Sequence, residues 1–192
     1  MRRLLITGFD PFGGQHINPS WAAVSALPDR IGDFILRKLP IPTVFGLAAQ
    51  QALLAAEEFR PDVILCIGQA GGRDAITPER IAVNIRDARI PDNQGCQPRG
   101  EFVIPDGPAA YFTTVPVEQM AQAIRSTQIP AAVSNSAGTF VCNDVLYTLL
   151  HHFHGSATKV GFIHVPYLPE QGSPALPLDQ IIAALTAAIE AC

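Results

Sequence analysis

Apolar runs alternate along the chain with segments in which apolar residues recur at helical spacing. Leu4 to Thr7 is the first run; Gly8 closes it, and it predicts a buried strand. Asn18-Pro19-Ser20 is a start signal for a short helix over Trp21 to Leu27. Phe45 to Phe59, rich in Ala, Leu, Gln and Glu, predicts the clearest helix, and Pro61 resets the chain. Val63-Ile64-Leu65-Cys66-Ile67 is a continuous apolar strand ending at Gly68. Further strands are expected over Ile81 to Ile85, Ala131 to Ser134 and Val160 to Val165. Further helices are expected over Val117 to Arg125, Cys142 to Phe153 and Leu178 to Ala191.

Strands alternating with helices predict an α/β fold, a three-layer α/β/α sandwich around a twisted, largely parallel sheet. The strands read as unbroken apolar runs, as expected when helices cover both sheet faces. No repeat or linker divides the chain, so residues 1–192 are expected to form a single domain. Asp87 to Ala110 breaks the pattern. It is rich in proline and glycine and reads as an irregular excursion, a hairpin or a lid.

Composition narrows the function. The chain has 192 residues, 48% hydrophobic and 16% charged, which excludes disorder. Its net charge of −4 and pI of about 5.7 do not suit a nucleic-acid or acidic-membrane binder. The Arg2-Arg3 start leads into an apolar run too short for a signal peptide, and no stretch has the length of a membrane span. The cytoplasm is the expected compartment. Cys66, Cys96, Cys142 and Cys192 form no CxxC pair, so free thiols are expected rather than zinc ligands or disulfides.

Three glycine-rich turns border strands: Gly8 to Gly14, Gly68 to Gly72, and Gly138 ahead of Cys142. None has a nucleotide-binding pattern in the right context. Such turns let backbone amides approach a small ligand. Cys142 opens a predicted helix, where the dipole is expected to lower its pKa and favour thiolate. Cys66 lies in an apolar strand and belongs to the core, while Cys96 and Cys192 are not placed for chemistry. His151, His152 and His154 cluster at a helix end, which suits cationic side chains better than a metal.

His164 sits near the end of a strand, just before Pro166. A helix from Cys142 to Phe153 descends roughly 18 Å at 1.5 Å per residue. A strand from Val160 to Val165 climbs back roughly 20 Å at 3.3 Å per residue. Cys142 and His164 therefore emerge together at the carboxyl edge of the sheet, as nucleophile and general base. A carboxylate to orient the imidazole has four candidates: Glu79, Asp74, Asp87 and Asp92. Glu79 enters a buried strand and needs a partner, either His164 or a structural arginine, Arg80 or Arg73.

Several stretches carry a resemblance. They are Thr7-Gly8-Phe9-Asp10-Pro11-Phe12-Gly13-Gly14, Cys66-Ile67-Gly68-Gln69-Ala70-Gly71-Gly72-Arg73, Ile76-Thr77-Pro78-Glu79-Arg80 and Asp87-Ala88-Arg89-Ile90-Pro91-Asp92-Asn93. Ala137-Gly138-Thr139-Phe140-Val141-Cys142-Asn143 and Phe162-Ile163-His164-Val165-Pro166-Tyr167 complete the set. In number and order they closely resemble pyroglutamyl peptidase type I, the pyrrolidone-carboxylate peptidase family of cysteine exopeptidases. The resemblance implies hydrolysis of the amide after an amino-terminal pyroglutamyl residue of a peptide. It implies a triad of Glu79, Cys142 and His164. It also implies a lactam pocket using Phe9, Phe12, backbone near Gln69, and Val141, with Arg89 assisting an oxyanion. No metal or organic cofactor is implied, and a homotetramer is. After Asn143 many relatives carry His where this chain has Asp144, a departure expected to have a modest effect on the thiol. A thiol hydrolase of altered specificity, a silent binding protein and a nucleoside-phosphorylase-like protein are the competing functions.

Overall fold

The computed structural model describes all 192 residues. In chain order its elements are β1 (Arg2–Phe9), α1 (Pro19–Ala26), β2 (Arg30–Ile31), β3 (Phe34–Ile41), α2 (Leu47–Phe59), β4 (Val63–Gln69), β5 (Thr77–Pro78), β6 (Ile81–Val83), β7 (Arg86–Asp87), β8 (Arg99–Glu101), β9 (Ala110–Phe112), α3 (Val117–Ser126), α4 (Val141–His152), β10 (Lys159–Val165) and α5 (Leu178–Glu190). Six strands form the main sheet in the order β2-β3-β1-β4-β10-β5. The inner pairs are parallel, and the short β2 and β5 close the edges antiparallel.

Side chains alternate across each strand, and this builds the two outer layers. Ile6 of β1, Leu65 of β4 and Ile163 of β10 face Val24 of α1, Ile124 of α3 and Leu185 of α5. Leu5, Ile64 and Phe162 face the other way, against Ala52 of α2 and Val145 and Leu149 of α4. The three-layer sandwich expected from the apolar runs is present. Each such side chain taken out of water contributes roughly 1.5–3 kcal/mol, so both faces are strongly committed.

The first layer sits close. A Cβ on Gly8 would lie 2.7 Å from the Trp21 Cα, so the backbone of α1 rests on β1. Asn18 caps α1, its Oδ1 accepting the Ser20 N–H at 3.0 Å and the Ser20 hydroxyl at 2.7 Å. The Ser20 oxygen in turn accepts the Phe9 N–H at 2.9 Å, which fixes the chain as it leaves β1.

Three expectations need correction. α2 starts at Leu47 rather than Phe45, because Gly46, at φ 71, turns the chain into the helix. Ala131 to Ser134 is not a continuous strand. It pairs alongside residues 76–80 through isolated bridges at Ala131 and Ser134, and Pro78 has no N–H to donate to that ladder. The apolar pattern does not reveal β3, although it pairs with β1 over its whole length. Arg37 and Lys38 occupy its middle and reach outward to Glu58 and Asp29. The excursion is a hairpin in part, with β7 and β8 antiparallel.

Gly8→Ala is expected to destabilise the fold by about 1–3 kcal/mol, because the added methyl meets backbone that cannot yield. Urea denaturation of the two proteins checks this.

Candidate active site

The carboxyl ends of β1, β4 and β10 open into one cavity of about 660 Å³. That edge is where ligands settle in open α/β sheets. Phe9 ends β1, Phe12 follows in the next turn, and Gln69 ends β4. His164 lies one residue from the end of β10, and Cys142 comes from the first turn of α4. All five line the cavity. α4 runs down from this edge and β10 climbs back to it, so their matched lengths bring Cys142 and His164 to the same edge.

Register brings the thiol close to the imidazole. β4 and β10 pair Gly68 with His164. A Cβ on Gly68 would lie 2.9 Å from Cys142 Sγ and 2.7 Å from the Phe162 ring. Only the missing side chain lets the thiol rest against the strand at this level.

Glu79 follows β5, and its side chain has no exposed surface. Its Oε1 lies 2.7 Å from His164 Nδ1 and 2.6 Å from Arg73 Nη1. Its Oε2 has no hydrogen-bond partner. With Nδ1–H donating to the carboxylate, Nε2 is the acceptor left on the ring. Two of the three partners weighed for Glu79 are thus present at once, His164 and Arg73. Arg80 turns away and pairs with Glu118 at 2.5 Å.

The other carboxylates have other tasks. Asp92 is buried and accepts the N–H groups of Phe45, Gln94 and Cys96. Asp74 is exposed, and Asp87 is exposed on the cavity wall. Asp144 is fully buried, accepting from Arg86 Nε at 2.6 Å and the Gly46 N–H at 2.8 Å. It anchors the start of α4 to β7 and the entry of α2. Asn143 does the same toward β6, exchanging hydrogen bonds with Val83. The histidine cluster at the far end of α4 is a surface group, with Tyr111 Oη 2.9 Å from His151 Nδ1. No three His, Cys, Asp or Glu side chains gather in a metal-holding group.

Electrostatics corrects one expectation. Burial pushes the Cys142 thiol up to about 12, and the Glu79 carboxylate and the Cys66 thiol push the same way. Arg73 and the backbone amide of Cys142 itself oppose this, and burial wins. Burial also pushes His164 below the ordinary imidazole value, against the pull of Glu79. Burial would raise Glu79, but hydrogen bonding from His164, then from Ser134 and Arg73, holds it below the ordinary carboxylate value. The resting site therefore holds a neutral thiol, a neutral imidazole and an ionised carboxylate.

The binding wall is apolar on one side. The rings of Phe12 and Phe140 lie 6.0 Å apart, and Phe45 meets Phe140 edge-on at 5.2 Å. Phe9 is buried and packs 6.4 Å from Phe162. Val141 does not line the cavity. Its side chain is fully buried in the core beneath α4, and Phe140 stands on the wall in its place. Helix geometry explains this, because residues one apart point in different directions. Arg89 is exposed on the wall beside Ile90. The Gln69 side chain is tied by Gln171, whose Nε2 donates to Gln69 Oε1 at 3.0 Å and to the Ile17 carbonyl at 3.1 Å. Phe140, Ile90 and Tyr167 have no role in the sequence reading. Their only signal is adjacency to Cys142, Arg89 and the strand carrying His164.

A parallel α/β sandwich with thiol, imidazole and buried carboxylate at one sheet edge has the composition of a cysteine hydrolase. Residues 2–192 match the family model described as pyroglutamyl peptidase. A pyrrolidone-carboxylate peptidase of Levilactobacillus brevis is 52% identical over 196 residues, covering 98% of this chain and 96% of its own. One from Staphylococcus aureus is 52% identical over 197 residues, covering 98% and 92%. The crystal structure of pyroglutamyl peptidase I from Bacillus amyloliquefaciens matches with a TM-score of 0.96 at 46% identity, covering 100% of this chain and 96% of that one. The pyrrolidone carboxyl peptidase of Thermococcus litoralis matches at 0.95 and 38% identity, covering 100% and 93%. The chain belongs to the pyroglutamyl peptidase family.

Gly68→Ala is expected to displace the Cys142 thiol from the strand while leaving the fold in place. Its kcat/KM on a pyroglutamyl amide should fall by up to about 100-fold, as for a reacting atom misplaced by 1 Å, with the urea midpoint little changed.

Proposed function

We propose that Glu79, Cys142 and His164 carry the reaction of this chain, a cysteine omega-peptidase that removes amino-terminal pyroglutamate from peptides. The observation that carries this reading is the Glu79–His164 bond of 2.7 Å, on a histidine that shares one cavity with Cys142.

The chemistry follows from the resting charges. His164 Nε2 takes the Cys142 proton as Sγ attacks the pyroglutamyl carbonyl. The imidazolium that forms is stabilised by Glu79 through Nδ1. It then protonates the leaving amine, whose bond to the carbonyl breaks to leave a thioester. Water, deprotonated by His164, attacks the thioester and frees pyroglutamate and the thiol. Backbone N–H groups at the start of α4, that of Cys142 included, face the developing oxyanion in this account, and Arg89 assists from the wall. Pyroglutamate is a neutral lactam without a free α-amine. Its pocket needs apolar faces and a few amide partners, which Phe9, Phe12 and the backbone around Gln69 supply.

In this reading residues 1–192 act as one catalytic domain. By family resemblance we infer a cytoplasmic homotetramer. Exposed Phe102 and Phe112 are apolar surface of the kind a second copy covers. No helix is long and apolar enough to cross a membrane. Light scattering of the purified chain checks the tetramer.

Release of a fluorescent amine from its pyroglutamyl amide, and none from the prolyl amide, is the expected activity. Cys142→Ala should abolish it. Glu79→Gln should lower kcat by about 10³–10⁴-fold, as loss of the orienting carboxylate does elsewhere.

The pH profile follows from the shifts. His164 must be neutral to act, and its value is depressed, so the acid limb of kcat/KM falls below the ordinary 6.5. The thiol is raised, so the alkaline limb lies above the ordinary 9.0. An acid limb above neutrality would contradict this arrangement.

A further inference from the structure

We propose that Arg73 is a positioning residue of this reaction, its guanidinium fixing the Glu79 carboxylate against His164 and balancing the carboxylate's buried charge. The inference rests on the triad proposed above.

Arg73 follows the turn after β4, where Gly72 takes a φ of 88. The turn brings the guanidinium back to the cavity wall. Nη1 donates to Glu79 Oε1 at 2.6 Å and also to the Thr77 hydroxyl. Nη2 donates to the Ser136 carbonyl at 3.1 Å. Thr77 is the register partner of His164. Ser136 belongs to the segment that leads into Cys142. One planar fork therefore ties together the segments that carry all three members of the triad. A lysine ammonium has the charge but not the fork.

Charge gives the second half of the argument. The same oxygen, Oε1, serves both His164 and Arg73, while Oε2 has no partner. Without the guanidinium, a fully buried carboxylate would have no permanent cation beside it and would draw a proton onto the ring that it faces. A protonated ring is no base. Arg73 opposes that proton, and it favours loss of the proton from Cys142 as well. The other titratable groups facing the cluster are Cys66 behind the thiol and Asp87, Arg89 and Tyr167 across the cavity. Arg80 is paired outward with Glu118, and Asp74 is exposed. Arg73 is the only cation bonded to the buried carboxylate.

The test compares Arg73→Gln and Arg73→Lys with the wild type by two pH profiles. One is kcat/KM on the pyroglutamyl amide, and the other is the rate of iodoacetamide alkylation at Cys142, which needs no substrate. For Arg73→Gln we expect both limbs of the kcat/KM profile, and the pH at which alkylation of Cys142 sets in, to move up by about one pH unit. We expect kcat to fall roughly 10- to 100-fold, the usual cost of losing a partner behind a reacting group, with KM nearly unchanged. Arg73→Lys should restore the limbs and only part of kcat. Unmoved limbs in Arg73→Gln would overturn the proposal even if the rate fell, since the residue would then be merely structural. If Arg73→Gln does not fold, Arg73→Lys decides: wild-type limbs with a lowered kcat support the fork, and shifted limbs or an unchanged kcat overturn it. If the wild type releases no amine, the functional reading fails, and the alkylation profile still decides the role of Arg73.

Discussion

A carboxylate with no exposed surface is the constraint around which this molecule is arranged. Burying an ion costs several kcal/mol unless partners replace its water. Glu79 has two on one oxygen, the His164 ring and the Arg73 guanidinium. Removing a partner from such a group costs about 3–5 kcal/mol, so the segments carrying all three are held together. β5 sits antiparallel to β10 with Thr77 opposite His164, and the chain before Cys142 is bound by the same arginine. What fixes the carboxylate also fixes the ring that it orients.

The second constraint is steric. α4 and β4 approach until the Cys142 sulfur occupies the space of a missing side chain at Gly68. Such proximity places the thiol at the level of His164 and leaves it half-buried on the cavity wall. The opposing effects on the thiol then have a definite balance. Arg73 and the backbone amide of Cys142 favour thiolate, while burial and Glu79 favour thiol, and the second pair prevails. A neutral thiol beside a neutral base needs no standing charge separation inside the protein. The proton moves when the carbonyl is attacked.

Much of this was legible in the sequence. The unbroken apolar runs encode strands covered on both faces, and matched helix and strand lengths bring Cys142 and His164 to one edge. β3 was not legible, because Arg37 and Lys38 interrupt its apolar pattern while their charged heads reach water and acidic partners. The choice among Glu79, Asp74, Asp87 and Asp92 depends on which carboxylate the fold buries, and spacing does not encode that. The thiol's raised value is not encoded for the same reason, since helix position is visible in a sequence and enclosure is not. Adjacency to Cys142 suggests Val141 as a wall residue, yet the helix turns it into the core and leaves Phe140 on the wall. Asp144 looked like a neighbour of the thiol and is instead held by Arg86 and Gly46.

The tautomer of His164 tests the central claim most directly. Nitrogen-15 NMR of the histidine-labelled protein near neutral pH, with His164 assigned from the His164→Gln spectrum, reads both ring nitrogens. A neutral ring with its proton on Nδ1, strongly deshielded by Glu79, and a bare Nε2 is the result the structure predicts. A proton on Nε2 with Nδ1 bare, or a ring doubly protonated at neutral pH, would contradict it.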